Sequence, residues 1–140
     1  MPTSSHRDNR KAVRIHHVGV AVDDLDAAIE LYQRVFDAEL THRESNEELN
    51  AAFLRAGEAE VELLQPRRED TPVGKFLARR GPGLHHIAVA VPDIERAIAE
   101  ARADGLEMID QEPRIGLHGT RIAFVHPKSV GGVLTEFVET

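Results

Sequence analysis

Residues 16–40 and 85–109 are two copies of one pattern. Laid over each other, HHVGVAVDDLDAAIELYQRVFDAEL and HHIAVAVPDIERAIAEARADGLEMI agree at eight positions. Few features constrain a chain of 140 residues more tightly, because a repeat that runs from a strand into a helix calls for two like units that bury a face together. In each copy a strand-like run (14–22 and 84–91) meets an acidic cap and then a helical pattern. Leu25, Ala28, Ile29 and Tyr32 in the first copy match Ile94, Ala97, Ile98 and Ala101 in the second, all at i, i+3, i+4, i+7 spacing. Each helix therefore has one apolar stripe to lay on a sheet.

Three short strands are expected after the first helix, at 39–43, 51–56 and 60–65, and three after the second, at 106–110, 120–126 and 133–138. Each half reads βαβββ. Gly57 sits in the turn between the second and third of the first set, where it can take a positive φ. The segment TPVGKFLARRG, 71–81, reads as a short helix ending at Gly81. The expected organisation is a polar tail at 1–13, a first module with the linker helix at 14–80 and a second module at 81–140. A half of about 60 residues has a thin core by itself, so the two are expected to form one α+β, pseudo-symmetric structural domain, 14–140.

Strand parity then selects among the histidines. Neighbouring side chains point to opposite faces of a strand, so His16 shares a face with Val18, Val20 and Val22, and His17 with Gly19 and Ala21. The second copy repeats this with His85, Ile87, Val89 and Val91 on one face and His86, Ala88 and Ala90 on the other. The β-branched face suits packing under the helix. The small-residue face is expected to leave space in front of His17 and His86. The last strand of each half adds an acid: Glu60, Glu62 and Leu64 share a face in EVELLQP, as do Leu134, Glu136 and Val138 in VLTEFVE. Two His and two carboxylates related by the repeat point to one divalent ion, since a carboxylate among apolar residues is costly without a cation or hydrogen bonds. Octahedral coordination by four protein groups leaves two positions for substrate oxygens. Gln65 has the opposite parity to Glu62 and falls outside this set. His42, His118 and His126 lack repeat partners and are read as structural.

Composition narrows the chemistry. Eight His and no Cys exclude disulfides, thiolate ligands and a cysteine nucleophile. A net charge of −7 argues against general nucleic-acid binding. No apolar run approaches the roughly 20 residues of a membrane span. The N-terminal MPTSSHRDNRKAV lacks the apolar stretch of a secretory signal, so a cytoplasmic protein is expected.

These residues resemble the vicinal-oxygen-chelate (glyoxalase/bleomycin resistance/dioxygenase) superfamily, whose paired βαβββ modules form a cupped mixed sheet around a divalent metal. The stretches IHHVGVAV, VELLQP, TPVGKFLARRGPGLHHIAV and HPKSVGGVLTEFVE resemble, more narrowly, the methylmalonyl-CoA epimerases. The resemblance spans 14–140. It implies metal ligands at His17, Glu62, His86 and Glu136, where members carry Gln or Glu at the Glu62 position. The extra charge of the carboxylate is expected to favour metal retention over acidification of the substrate. The implied metal is Co2+, with Mn2+, Ni2+, Zn2+ or Mg2+ as alternatives, and the implied assembly a homodimer. The implied reaction interconverts (R)- and (S)-methylmalonyl-CoA by proton transfer at C2 through a metal-stabilised enolate, with an acid/base group on each side.

Some members place a proposed glutamate base where this chain has Ala51. Glu44, Glu47 and Glu48 lie just upstream; Glu48, nearest the strand, is the preferred base, with Glu136 as the second proton-transfer group. Lys128 and Ser129, in the HPKS loop, are the provisional contacts to the acyl-CoA substrate. An extradiol dioxygenase of the same fold would need only two His and one Glu around Fe(II), leaving Glu62 unexplained; two other rival functions remain. A glyoxalase I-like lyase or isomerase would act on a glutathione hemithioacetal, and a drug-binding protein would need an aromatic-lined cleft. Five Phe and one Tyr, with none in the HH strands, argue against the second.

Overall fold

The aspartates before the two repeated helices cap them in the same way. Asp24 and Asp93 are extended, at φ −141° and −142°, and their side chains accept from the backbone N–H groups of Ala27 and Arg96. Each satisfies one of the N–H groups that a helix start leaves without an intrahelical partner. The structure, a computed structural model, describes residues 14–140; the expected tail at 1–13 lies outside the described residues. The chain divides into two compact units, one of residues 17–86 and the other of 87–140 together with the described residues 14–16.

The 17–86 unit contains most of β1 (Arg14–Ala21), α1 (Leu25–Phe36), β2 (Glu39–Ser45), β3 (Leu49–Ala56), β4 (Ala59–Pro66), α2 (Pro72–Arg80) and the start of β5 (Gly83–Val91). Its strands run in the order β2-β3-β4-β1. β1 and β4 are parallel, and the other pairs are antiparallel. Gly57 has φ +66°, as the tight turn between β3 and β4 requires. The apolar stripe of α1 buries Leu25 and Ile29 against Ala52, Leu54 and Leu63, each large aliphatic side chain contributing about 2 kcal/mol. Thr71 caps α2 and Gly81 ends it at φ +74°, within the expected 71–81.

The other unit continues β5 and adds α3 (Ile94–Ala103), β6 (Arg114–Ile115), β7 (Arg121–Val125) and β8 (Thr135–Glu139), in the order β5-β8-β7-β6. β5 and β8 are parallel, whereas β8/β7 and β7/β6 are antiparallel. The expected strand at 106–110 does not form: that segment makes one isolated bridge, Met108 to Val125, and the edge strand is instead the two-residue β6. Asp110 is the reason. Its carboxylate accepts from the backbone N–H of Phe124 at 2.8 Å, taking the place of a main-chain partner, and Pro113 just beyond has no N–H to give. The core of this unit gathers Ile94, Ile98, Met108, Ala123 and Val125. No helix among the described residues is long and apolar enough to cross a membrane.

Candidate metal centre

Pairing register decides which acid meets the histidines. In the 17–86 unit, parallel β1 and β4 set Gly19 opposite Glu62, and Gly19 lies two residues beyond His17 on the same face. Glu62 Oε1 stands 3.7 Å from His17 Nε2 and 3.4 Å from His86 Nε2. The two Nε2 atoms are 3.2 Å apart. All three residues are buried, at 3 to 5% exposure. Metal–ligand bonds of about 2.0–2.2 Å place adjacent ligands about 3–3.5 Å apart. His86 Nε2 thus has the spacing of a neighbouring ligand to both other atoms, the His17–Glu62 pair lies slightly wider, and two imidazoles with a carboxylate suit a divalent first-row ion. A His-His-Glu cluster of this kind could hold a metal ion.

The space expected before the small-residue face is taken by the site itself. A Cβ on Gly19 would lie 2.1 Å from His86 Cε1, so the ring of His86 is seated on bare backbone. The other edge of that ring also meets a neighbour: His86 Nδ1 is 3.0 Å from His85 Nδ1. The two rings stand nearly perpendicular, at 87°. Sequence reasoning set His85 on the opposite face and missed this contact, which period-two parity cannot reveal for rings that lean across the strand.

Glu136 belongs to the other unit. It lies on β8 opposite Ala88 of β5, two residues beyond His86, and is 6% exposed. Each module therefore sets its acid opposite the small residue two past the second histidine of its HH pair. A phenylalanine stands on the far side of each acid, Phe53 opposite Glu62 and Phe124 opposite Glu136. That pair was visible in the sequence only after the strand registers were known.

The remaining candidates are dispersed. Glu48 is exposed, in the turn between β2 and β3, with its backbone N–H donating to Asn46 Oδ1 and its carbonyl accepting from the Arg67 N–H. Glu44 is half-buried opposite Ala51, on the face that carries Phe53 and Glu62, and pairs with His42 Nε2 at 3.0 Å. Gln65 accepts from the N–H of Leu25 at the start of α1. His126 caps the 3-10 turn Pro127–Val130, accepting from the Lys128 N–H, and His118 takes φ +66° in a glycine-flanked turn. Lys128 is exposed, and the Ser129 hydroxyl accepts from the N–H of Glu107 at 2.9 Å.

Over residues 16–124 the chain matches the Glyoxalase/Bleomycin resistance protein/Dioxygenase superfamily. It is 37% identical over 128 residues to the uncharacterised protein YqjC of Bacillus subtilis, covering 90% of this chain and 91% of that one. It is 34% identical over 129 residues to the mitochondrial methylmalonyl-CoA epimerase of Dictyostelium discoideum, covering 90% of this chain and 78% of the relative. A solved methylmalonyl-CoA epimerase in complex with methylmalonyl-CoA and NH4+ superposes with a TM-score of 0.86 at 42% identity, covering 91% of this chain and 94% of that one.

Proposed function

Because the chain belongs to the glyoxalase/bleomycin resistance/dioxygenase superfamily and, within it, to the methylmalonyl-CoA epimerase family, we propose that it interconverts (R)- and (S)-methylmalonyl-CoA by proton transfer at C2. The observation that carries the reading is the buried His17–Glu62–His86 cluster with the spacing of metal ligands. Glu136 is the fourth ligand in this proposal, because its register repeats that of Glu62. A divalent ion, Co2+ first among the candidates, would supply positive charge against the negative charge that develops on the substrate oxygens as C2 loses its proton.

The chain's own groups must do the rest. Burial of the cluster keeps competing water from the donor atoms and strengthens every charge interaction there. Inversion at C2 needs a proton acceptor on one side and a donor on the other. Glu136 and Glu48 are assigned these roles, with Glu44 as the comparison for Glu48, since its side chain shares the Glu62 face. Lys128 supplies a cation for the acyl-CoA phosphates, and the Ser129 hydroxyl, which accepts from Glu107, keeps its proton free to donate.

The test is exchange of the C2 hydrogen of methylmalonyl-CoA with deuterated solvent, using protein with stoichiometric metal. Exchange together with racemisation is expected. Metal-replete protein that exchanges nothing overturns the epimerase reading. Glu48→Gln is expected to slow both rates by about 100-fold or more, in the range of a lost acid/base group. Wild-type rates in that variant remove Glu48 from the mechanism, and Glu44→Gln then tests its neighbour on the ligand face.

A further inference from the structure

His86 meets three groups through its two nitrogens, and a ligating role fixes where its proton must be. Nε2 faces His17 Nε2 and Glu62 Oε1 at 3.2 and 3.4 Å. Nδ1 faces His85 Nδ1 at 3.0 Å. A neutral imidazole has one N–H and one lone pair. A metal taken up by the cluster needs the Nε2 lone pair, so the proton must lie on Nδ1, and the group positioned to accept it is the Nδ1 lone pair of His85. That in turn places the proton of His85 on its own Nε2.

We propose that His85 is a positioning residue of the metal centre, accepting a hydrogen bond from His86 Nδ1 and thereby fixing the tautomer and ring angle with which His86 ligates. The inference rests on the metal-binding reading of the cluster. Two further contacts suit the role. The His85 ring is half-buried and meets Phe76 of α2 edge to face, with centroids 5.1 Å apart at 78°, and the Arg80 guanidinium lies over the other ring at 5.7 Å. Across the His86 ring, bare Gly19 leaves no side chain to hold it, since any Cβ there would collide. A glycine backbone against the ring and a hydrogen bond to His85 at Nδ1 thus bear on the angle of His86, beside its Nε2 contacts in the cluster. Partners of this kind on ligating histidines typically change metal affinity by about 10- to 100-fold when removed.

Two substitutions separate the hydrogen bond from the packing. His85→Phe keeps a ring against Phe76 and removes the acceptor; His85→Asn keeps an acceptor and removes the ring. Titration of the apo-proteins with Co2+, followed by visible absorption, is expected to give a dissociation constant about 10- to 100-fold higher for His85→Phe, with altered band positions. His85→Asn is expected to stay within about 3-fold of wild type, with the wild-type spectrum. Thermal unfolding of the apo-proteins shows which variants fold. Wild-type affinity in a folded His85→Phe overturns the proposal, and so does a folded His85→Asn as weak as the loss expected of His85→Phe. The wild type gives a check that needs no variant: nitrogen NMR of the zinc-loaded protein is expected to show the proton on Nδ1 of His86 and on Nε2 of His85, and a proton on His85 Nδ1 overturns the proposal. Wild-type protein that takes up no Co2+ overturns the metal reading and this one with it. Metal uptake that is indifferent to His85 overturns this one alone.

Discussion

One row of side chains runs across each module, and the two rows agree only in part. In the first the order is Gly19, Glu62, Phe53, with the His42 ring 5.6 Å from that of Phe53. In the second it is Ala88, Glu136, Phe124, with the Arg114 guanidinium 5.5 Å from the Phe124 ring. The acid and the phenylalanine repeat because each module must seat a carboxylate in an otherwise apolar face. The ends differ because the modules have diverged where the site makes unequal demands. At the outer end, the first module carries a His42–Glu44 pair where the second carries an Arg114–Asp110 pair. Inward, glycine replaces alanine where a histidine ring must fit.

The largest effect should come from the two histidines of the buried cluster. His86→Ala removes one imidazole from the cluster and is expected to abolish both metal content and epimerisation. Metal analysis after dialysis decides it: full occupancy in the variant overturns the ligand set. His17→Ala, the change at the repeat-equivalent place, is expected to match it. A variant pair in which one keeps its metal would show that the two modules do not contribute equal ligands.

A smaller effect is expected where the rows differ by one methyl group. Gly19→Ala puts a Cβ 2.1 Å from His86 Cε1, and overpacking of this kind costs about 1–3 kcal/mol. Relief requires the His86 ring to turn, so Co2+ affinity should fall with stability. The opposite change, Ala88→Gly, leaves the ligands in place and should cost only about 0.5–1 kcal/mol, the usual loss on placing glycine in a strand. Denaturant unfolding alongside metal titration measures both. Equal effects on metal affinity from the two changes would break the claim that only the first module's small residue seats a ligand ring.

Much of this is legible in the sequence itself. Alternation placed His17 with Gly19 and His86 with Ala88, and the repeat supplied a carboxylate for each module at matching positions. Asp24, Asp93, Thr71 and Gly81 marked helix ends by local chemistry alone. What parity could not reach was contact between neighbours on one strand, such as His85 against His86, because alternation describes where Cβ atoms point and not where long rings lean. Nor could it find β6. Residues 106–110 have a strand's composition, and only the distant N–H of Phe124, claimed by the Asp110 carboxylate, ends the ladder there. The value of Gly19 was likewise hidden, since a small residue in a strand does not announce which ring will rest on it.

The smallest effect concerns the helices. Tyr32 packs against the core beneath α1, and its repeat partner beneath α3 is Ala101. Beside α3 lies a hollow of about 300 Å³, open to solvent, whose walls include Ala101, Val89, Leu106, Val125 and Phe137. Apolar walls of an open hollow keep area in contact with water that a larger neighbouring side chain would cover. Ala101→Leu would restore part of the volume that Tyr32 fills in the other module. Filling of this type commonly adds about 0.5–2 kcal/mol, and the low end is expected because the Arg96 and Glu100 flanks leave the hollow open at its mouth. Metal affinity and exchange rate should not move, as the hollow lies on the helix side of the strands and the ligands point the other way. A stability gain without a functional change would mean that the two modules pack their helices independently of the chemistry. A loss of about 1 kcal/mol or more would show that α3 sits at a depth set by alanine, and that the hollow cannot accept the side chain its repeat partner holds.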